Sequence, residues 1–457
     1  MPKKKSFIGK EIKVLEKDFD KDLKFANKEI KIIEEDLEKD IKFARKEARI
    51  VKKEIKHIEE EIGPGVITGG SDNDPAGIIT YTTAGALFGY ALLWVLVLCT
   101  PLMIVAQEMA GRLAIVKRQG LSSIIKEHYG KKIAIVVMSA LVMVNLATIG
   151  ADIAGMAAVV GMITGFNFVI FILPITALVG YLVLFKKYKT IRNALLILTF
   201  SLVVYVISAF ISNPDWLAAL QGVVPSYIPT VGFIAAAIGI IGTTISPYMM
   251  FWQASDELEE HKKKLKPKEL EFDTTVGMLW SNIIAAFIII AAAATLYGVV
   301  DNIDTAEAAA MALRPLAGEF AYLLFSFGII IAGFLALPVL AGSTAYAVSE
   351  TFGWKEGINK KFANAKGFYF VFLFALLIGA LLAFLPINPI HFLYYTQIAD
   401  GFLTPFLVGI LLLLCNNKQI MREHTNSRTK NIIGVLLIVV LGILDILLIG
   451  QFLGIGI

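Results

Sequence analysis

The chain has 457 residues, of which 57% are hydrophobic and only 18% charged, with a formal net charge of +4. Soluble globular domains carry about 25% charged and about 45–50% apolar residues, so this composition excludes that class and points to a polytopic membrane protein. The two cysteines, Cys99 and Cys415, both sit in apolar runs and exclude a disulfide framework or a cysteine metal cluster. There is no phosphate-binding glycine loop ahead of a basic residue and no nucleophilic triad, so the chain is not read as an enzyme. Neither a resident cofactor nor a nucleic-acid partner is expected.

The first 62 residues stand apart, holding 18 of the 42 Lys+Arg and 16 of the 38 Asp+Glu. They lack the short apolar core of a cleavable signal peptide. Lys21-Asp-Leu-Lys-Phe-Ala-Asn-Lys-Glu29 recurs 18 residues later as Lys39-Asp-Ile-Lys-Phe-Ala-Arg-Lys-Glu47, an offset of five helical turns. Apolar positions from Ile12 to Ile62 step by three or four, with no Pro or Gly between Lys10 and Ile62. This predicts one long cytoplasmic amphipathic helix, suited to a coiled coil or homo-oligomer contact, or to lying along an anionic membrane face.

From residue 63 onward, runs long enough to cross a bilayer fall at about 64–89 (interrupted), 91–115, 132–164, 168–186, 191–211, 231–254 (interrupted), 274–300, 318–350, 367–386, 390–415 and 431–455. Eleven spans result. Basic residues occupy alternate loops: Arg112 to Lys132, Lys186 to Arg192, Lys262 to Lys268, Lys355 to Lys366 and Lys418 to Lys430, while the intervening loops hold only Arg314. The positive-inside rule then predicts an inner (plasma) membrane protein with a cytoplasmic N-terminus and an extracytoplasmic C-terminus.

Two of these spans cannot be plain helices. In the first, Gly69-Gly70-Ser71-Asp72-Asn73-Asp74-Pro75-Ala76-Gly77 puts two carboxylates, an amide, a hydroxyl, a proline and three glycines at bilayer depth. Irregular backbone and ionisable groups survive there only where protein or a water-filled cavity surrounds them, and they then mark a substrate or ion path. In the sixth, Gly242-Thr-Thr-Ile-Ser246-Pro247-Tyr248-Met249 places a proline among hydroxyls. Pro247 alone would read as a structural kink. Paired with a break five spans earlier, it points to an inverted-repeat secondary transporter with a midplane site.

These residues resemble the Nramp divalent-metal transporters. Asp74-Pro75-Ala76-Gly77 is similar to the family's Asp-Pro-Gly-Asn metal signature, and Ser246-Pro247-Tyr248-Met249 stands where it has Met-Pro-His-Asn. Gln107 to Gly120 resembles its second helix, Ala151 to Ala154 its third, Gly342 to Ala347 its eighth, and Thr396-Gln397 with Leu403 to Phe406 its tenth. The resemblance covers about residues 63–455 and implies an all-α, LeuT-type fold of five plus five inverted helices with an eleventh appended, working by alternating access.

The departures bear on substrate. Gly77 and Ser246 replace the family's amide and thioether donors, and an oxygen-only set suits Mg2+ and Mn2+ better than softer metals. The pattern resembles the Nramp-related magnesium transporter branch. The expected metal set is Asp74, Asp72, Gly77, Thr243, Ser246 and Gln397. Asp74 also reads as a helix cap, Asp72 as a solvated vestibule residue, Gln397 as an interhelix contact, and Thr243 and Ser246 as hydroxyls bonded to their own backbone. Asp152 keeps an acidic position of the family's proton route, while Asn145, Gly155, Tyr248 and Gln253 depart from it. The expectation is Mg2+ transport, with Mn2+ also accepted, uncoupled from protons. The alternatives are a proton-coupled Mn2+/Fe2+ symporter, an amino-acid carrier of the same fold, and a scaffold or sensor that oligomerises through its first helix.

Overall fold

The computed structural model describes residues 64–185, 197–260 and 267–453. The predicted N-terminal helix, the basic stretch Lys186 to Arg192 and most of Lys262 to Lys268 lie outside the described residues. Every described regular element is helical. Among the described residues eight helices are long and apolar enough to cross a membrane, and two shorter apolar ones, Val169–Phe185 and Ile197–Ile211, fall where spans four and five are predicted.

The first span is two half-helices, α1 (Pro64–Ser71) and α2 (Pro75–Phe88). Spans two to five are α3 (Leu93–Lys117), α5 (Lys131–Thr164), α6 (Val169–Phe185) and α7 (Val203–Ile211), with a short amphipathic α4 (Leu121–Tyr129) after span two. Span five is described from Ile197 onward, and a turn at Leu202 interrupts it. The sixth span is again two half-helices, α8 (Val231–Thr244) and α9 (Pro247–Glu260). Then come α10 (Pro267–Leu296), α11 (Ala321–Phe352), α12 (Lys366–Ala383), α13 (Pro389–Asn416) and α14 (Arg428–Phe452).

Both expected breaks are present, and each has a local cause. Pro75 and Pro247 open the second half of their spans, where a missing N–H costs nothing and the fixed φ favours a first helical turn. Proline disfavours helical backbone in the residue before it, and Asp74 accordingly sits extended at φ −69°, ψ 171°.

Packing sorts the spans into two groups. α10 lies against α1, α2 and α3, and α3 also against α9. α5 lies against α11, α12 and α6. α13 touches α8, α2 and α3 of the first group and α5 of the second, with α14 packed on its far side. Lipid offers no hydrophobic drive for helix association, so small residues that let backbones close up do much of this work. A Cβ on Gly65 would come within 2.7 Å of the Thr274 backbone, and one on Gly277 within 2.8 Å of Val66 Cα. α1 and α10 therefore meet backbone to backbone.

Polar pairs fasten the helix ends. Arg112 Nε donates to Glu108 Oε1 at 2.7 Å, and its other nitrogens reach the His424 carbonyl and Asn426 Oδ1. Lys430 bridges Glu108 and Glu271 at 3.1 and 3.2 Å. Glu350 accepts from the Ser122 amide at 2.9 Å and from Ser255 Oγ at 3.2 Å. Its carboxyl oxygens thus meet backbone N–H groups at the N-terminus of α4.

The segment joining α11 to α12 has its own titrating group. Glu259 accepts from Tyr346 OH at 3.1 Å and Asn359 Nδ2 at 2.9 Å, and the Ile358 amide donates to Tyr346 OH at 3.1 Å. Burial pushes the Glu356 carboxyl up from 4.5 to about 7, with Lys360 opposing and Glu259 reinforcing. A raised carboxyl favours its protonated form in the folded segment, so stability is full at acid pH and falls as pH rises from 4.5 towards 7. The protection factor of the Ile358 amide, its hydrogen exchange taken relative to the intrinsic rate at each pH, is expected to fall across that interval in the wild type. Glu356→Gln should flatten the dependence.

Candidate functional site

The two breaks face each other in the core. Asp74 caps α2, with Oδ1 accepting from the Gly77 amide at 2.5 Å, while Oδ2 is buried and makes no hydrogen bond. The cap and ligand readings are thus carried by different oxygens of one side chain. A Cβ on Gly77 would come within 2.7 Å of Thr243 Oγ1, 3.0 Å of Asp74 Oδ1 and 3.1 Å of the Asp72 carbonyl oxygen. These three oxygens therefore ring a small space that exists because residue 77 has no side chain. Thr243 Oγ1 also makes no hydrogen bond, unlike a hydroxyl turned back on its helix.

The other expected donors divide. Gln397 is fully buried with neither amide atom bonded. It is brought to α8 by a close backbone crossing, because a Cβ on Gly242 would run into the Gln397 carbonyl and the Gly401 amide. Ser246 instead donates to the Gly242 and Thr243 carbonyls at 2.9 and 2.7 Å, so its proton and the Thr243 carbonyl are already engaged. Asp72 is fully buried rather than solvated. Its Oδ2 accepts from Ser281 Oγ of α10, and Oδ1 is unbonded.

Several groups at the centre had no signal in the sequence. Asn73 Nδ2 donates to Ser281 Oγ at 2.9 Å, and Tyr248 OH donates to the Ser71 carbonyl at 3.2 Å, linking the two breaks. Tyr81 OH lies 3.1 Å from Thr244 Oγ1. Asn145, at an acidic position of the resembled family, donates to Ser343 Oγ and Thr344 Oγ1 at 3.0 Å each, tying α5 to α11. Asp152 and Asp400 are both fully buried. Ser281 is an ordinary residue by sequence, and only the fold brings it to the first break.

Among the described residues no three His, Cys, Asp or Glu side chains form a metal-holding group by themselves, and none of the described histidines is buried. A cation here would be held by one or two carboxylates, completed by hydroxyl, amide, carbonyl and water oxygens. Such a mixed oxygen set fits a hard dication that keeps part of its water shell.

Two broken helices that meet at a buried, oxygen-lined centre within a five-plus-five helical bundle define a membrane transporter of the LeuT type. The chain belongs to the Nramp family: the family described as "Natural resistance-associated macrophage protein-like" matches residues 65–451. A relative in Staphylococcus saprophyticus, named divalent metal cation transporter MntH, is 28% identical over 428 residues, covering 85% of this chain and 91% of its own. The Eremococcus coleocola manganese transporter, solved with an aromatic bis-isothiourea compound, superposes with a TM-score of 0.69 at 19% identity, covering 86% of this chain and 87% of that one. The fold extends to MhsT, solved with L-phenylalanine, with a TM-score of 0.53 at 15% identity and coverage of 86% and 98%.

Proposed function

We infer that this chain carries hard divalent cations across the membrane by alternating access, holding them between the breaks of spans one and six. Asp74 Oδ2 supplies charge, with Thr243 Oγ1, Gln397 and a free oxygen of Asp72 as further donors, Ser246 lending its hydroxyl oxygen, and Gly77 leaving the space. The observation that carries this is the ring of oxygens around Gly77, with unbonded buried atoms on Asp74 and Thr243. Relatives are named manganese or divalent metal transporters, and Mn2+ accepts oxygen ligands. The missing thioether and amide favour Mg2+ alongside it over Fe2+. The basic residues in alternate loops support a cytoplasmic N-terminus and an extracytoplasmic C-terminus in the plasma membrane. A homo-oligomer or partner through the N-terminal helix remains part of this reading.

Transport without proton coupling is supported by Tyr248 and Gln253 standing where the family carries histidines and by the absence of a buried histidine among the described residues, and the membrane potential alone supplies about 2.3 kcal/mol per charge at 100 mV. A second reading, proton-coupled Mn2+ symport, is favoured by the relatives' names and by Asp152 and Asp400, two further buried carboxylates. Proteoliposomes with an internal pH reporter separate the two. Mg2+ and Mn2+ should each enter without internal acidification, and acidification in step with uptake establishes the symport reading instead. Ser246→Met should shift competition towards Mn2+ over Mg2+ by about 10-fold, one added soft contact being worth about 1.4 kcal/mol. Unchanged competition would count against the donor-set argument.

A further inference from the structure

Resting on the reading above, we propose that Asp152 and Asp400 form a second station for the transported dication, between α5 and α13 and beside the Asp74 centre. Asp152 is fully buried, and the donor that approaches its carboxylate is the Ala76 backbone amide of α2, without ideal hydrogen-bond geometry to either oxygen. Asp400 accepts from Thr148 Oγ1 through Oδ2, a long contact of 3.4 Å, and its Oδ1 is unbonded. Thr148 and Asp152 are one helical turn apart and share a face of α5. Asn145 lies on the same face one turn earlier, and its Oδ1 is another buried oxygen with no partner.

In its ionised form this collection calls for cations. Asp152 interacts electrostatically with both Asp74 and Asp400, and Tyr248 lies within reach of all four aspartates, Asp72 included. Buried charges persist only when paired or neutralised. Among the described residues the single buried basic side chain is Arg112, which is engaged by Glu108, the His424 carbonyl and Asn426. No protein cation is left to offset the four carboxylates. One dication at Asp74 and Asp72 balances half of their charge, and a second between Asp152 and Asp400 balances the rest. The Thr148 hydroxyl, the Asn145 amide oxygen and water complete the oxygen shell that such an ion requires.

Mn2+ binding to the purified full-length chain in detergent, followed by loss of the free-ion electron paramagnetic resonance signal, tests this. Wild type is expected to bind two equivalents. Asp400→Asn and Asp152→Asn, near-isosteric and checked for wild-type thermal unfolding, should each bind one, and Asp400→Glu should restore the second. Asp74→Ala should lose the other equivalent. A wild-type stoichiometry of one overturns the proposal. So does loss of an equivalent in Asp74→Ala with none lost in the two Asn variants, which leaves the Asp74 centre standing with protons as the balancing charge. No loss in Asp74→Ala removes the underlying centre as well.

Discussion

Asp74→Ala is expected to lower Mn2+ and Mg2+ uptake into proteoliposomes by about 100- to 4,000-fold while the protein still folds. Removing one partner of a buried charge pair costs about 3–5 kcal/mol, and each 1.4 kcal/mol is about tenfold. The loss to folding is smaller, because the deleted cap to Gly77 is worth about 1 kcal/mol. Asp74→Asn separates the two duties of this side chain. An amide oxygen still caps α2, so thermal stability should stay near wild type, but the negative charge next to Thr243 Oγ1 is gone and uptake should fall almost as far. Uptake retained in both variants would dissolve the centre at Gly77.

Gly277→Leu should do the reverse damage, preventing stable folding instead of slowing transport through a folded protein. Overpacking a well-packed interior typically costs about 1–3 kcal/mol when neighbouring side chains can shift. Here the nearest neighbours are backbone atoms of Gly65 and Val66, which have no rotamer to change. α1 would have to lift from α10, exposing in turn the Asp72 to Ser281 contact that holds the unwound turn. The expected readout is loss of the monodisperse detergent peak, or a large fall in unfolding temperature. Gly180→Leu, whose added Cβ meets nothing closer than the Leu373 side chain at 3.4 Å, should be far milder.

The breaks at Asp74-Pro75 and Ser246-Pro247 were legible in the sequence because proline and glycine act on the local backbone wherever the chain goes. The eleven apolar runs were legible for the same reason, since length and composition belong to a segment by itself. Which hydroxyl turns outward could not be read this way. Thr243 and Ser246 looked equivalent, yet Ser246 bonds two carbonyls of its own helix while Thr243 faces Gly77. Asp72 looked solvent-facing because nothing in the sequence brings Ser281, 209 residues away, to meet it. Asp400 belongs to no motif in the sequence, and only the packing of α13 sets it opposite Thr148 and Asp152. Contacts between distant segments decide these roles, and periodicity carries no trace of them.

The bond from Tyr248 OH to the Ser71 carbonyl couples the two unwound turns mechanically. A transport cycle that keeps this bond would move the two turns together. The strain of switching sides then falls on the remaining seam, where α13 is wedged between α8 and α5. Crosslinks placed along that wedge, rather than across the cradle, are the ones that would lock the cycle.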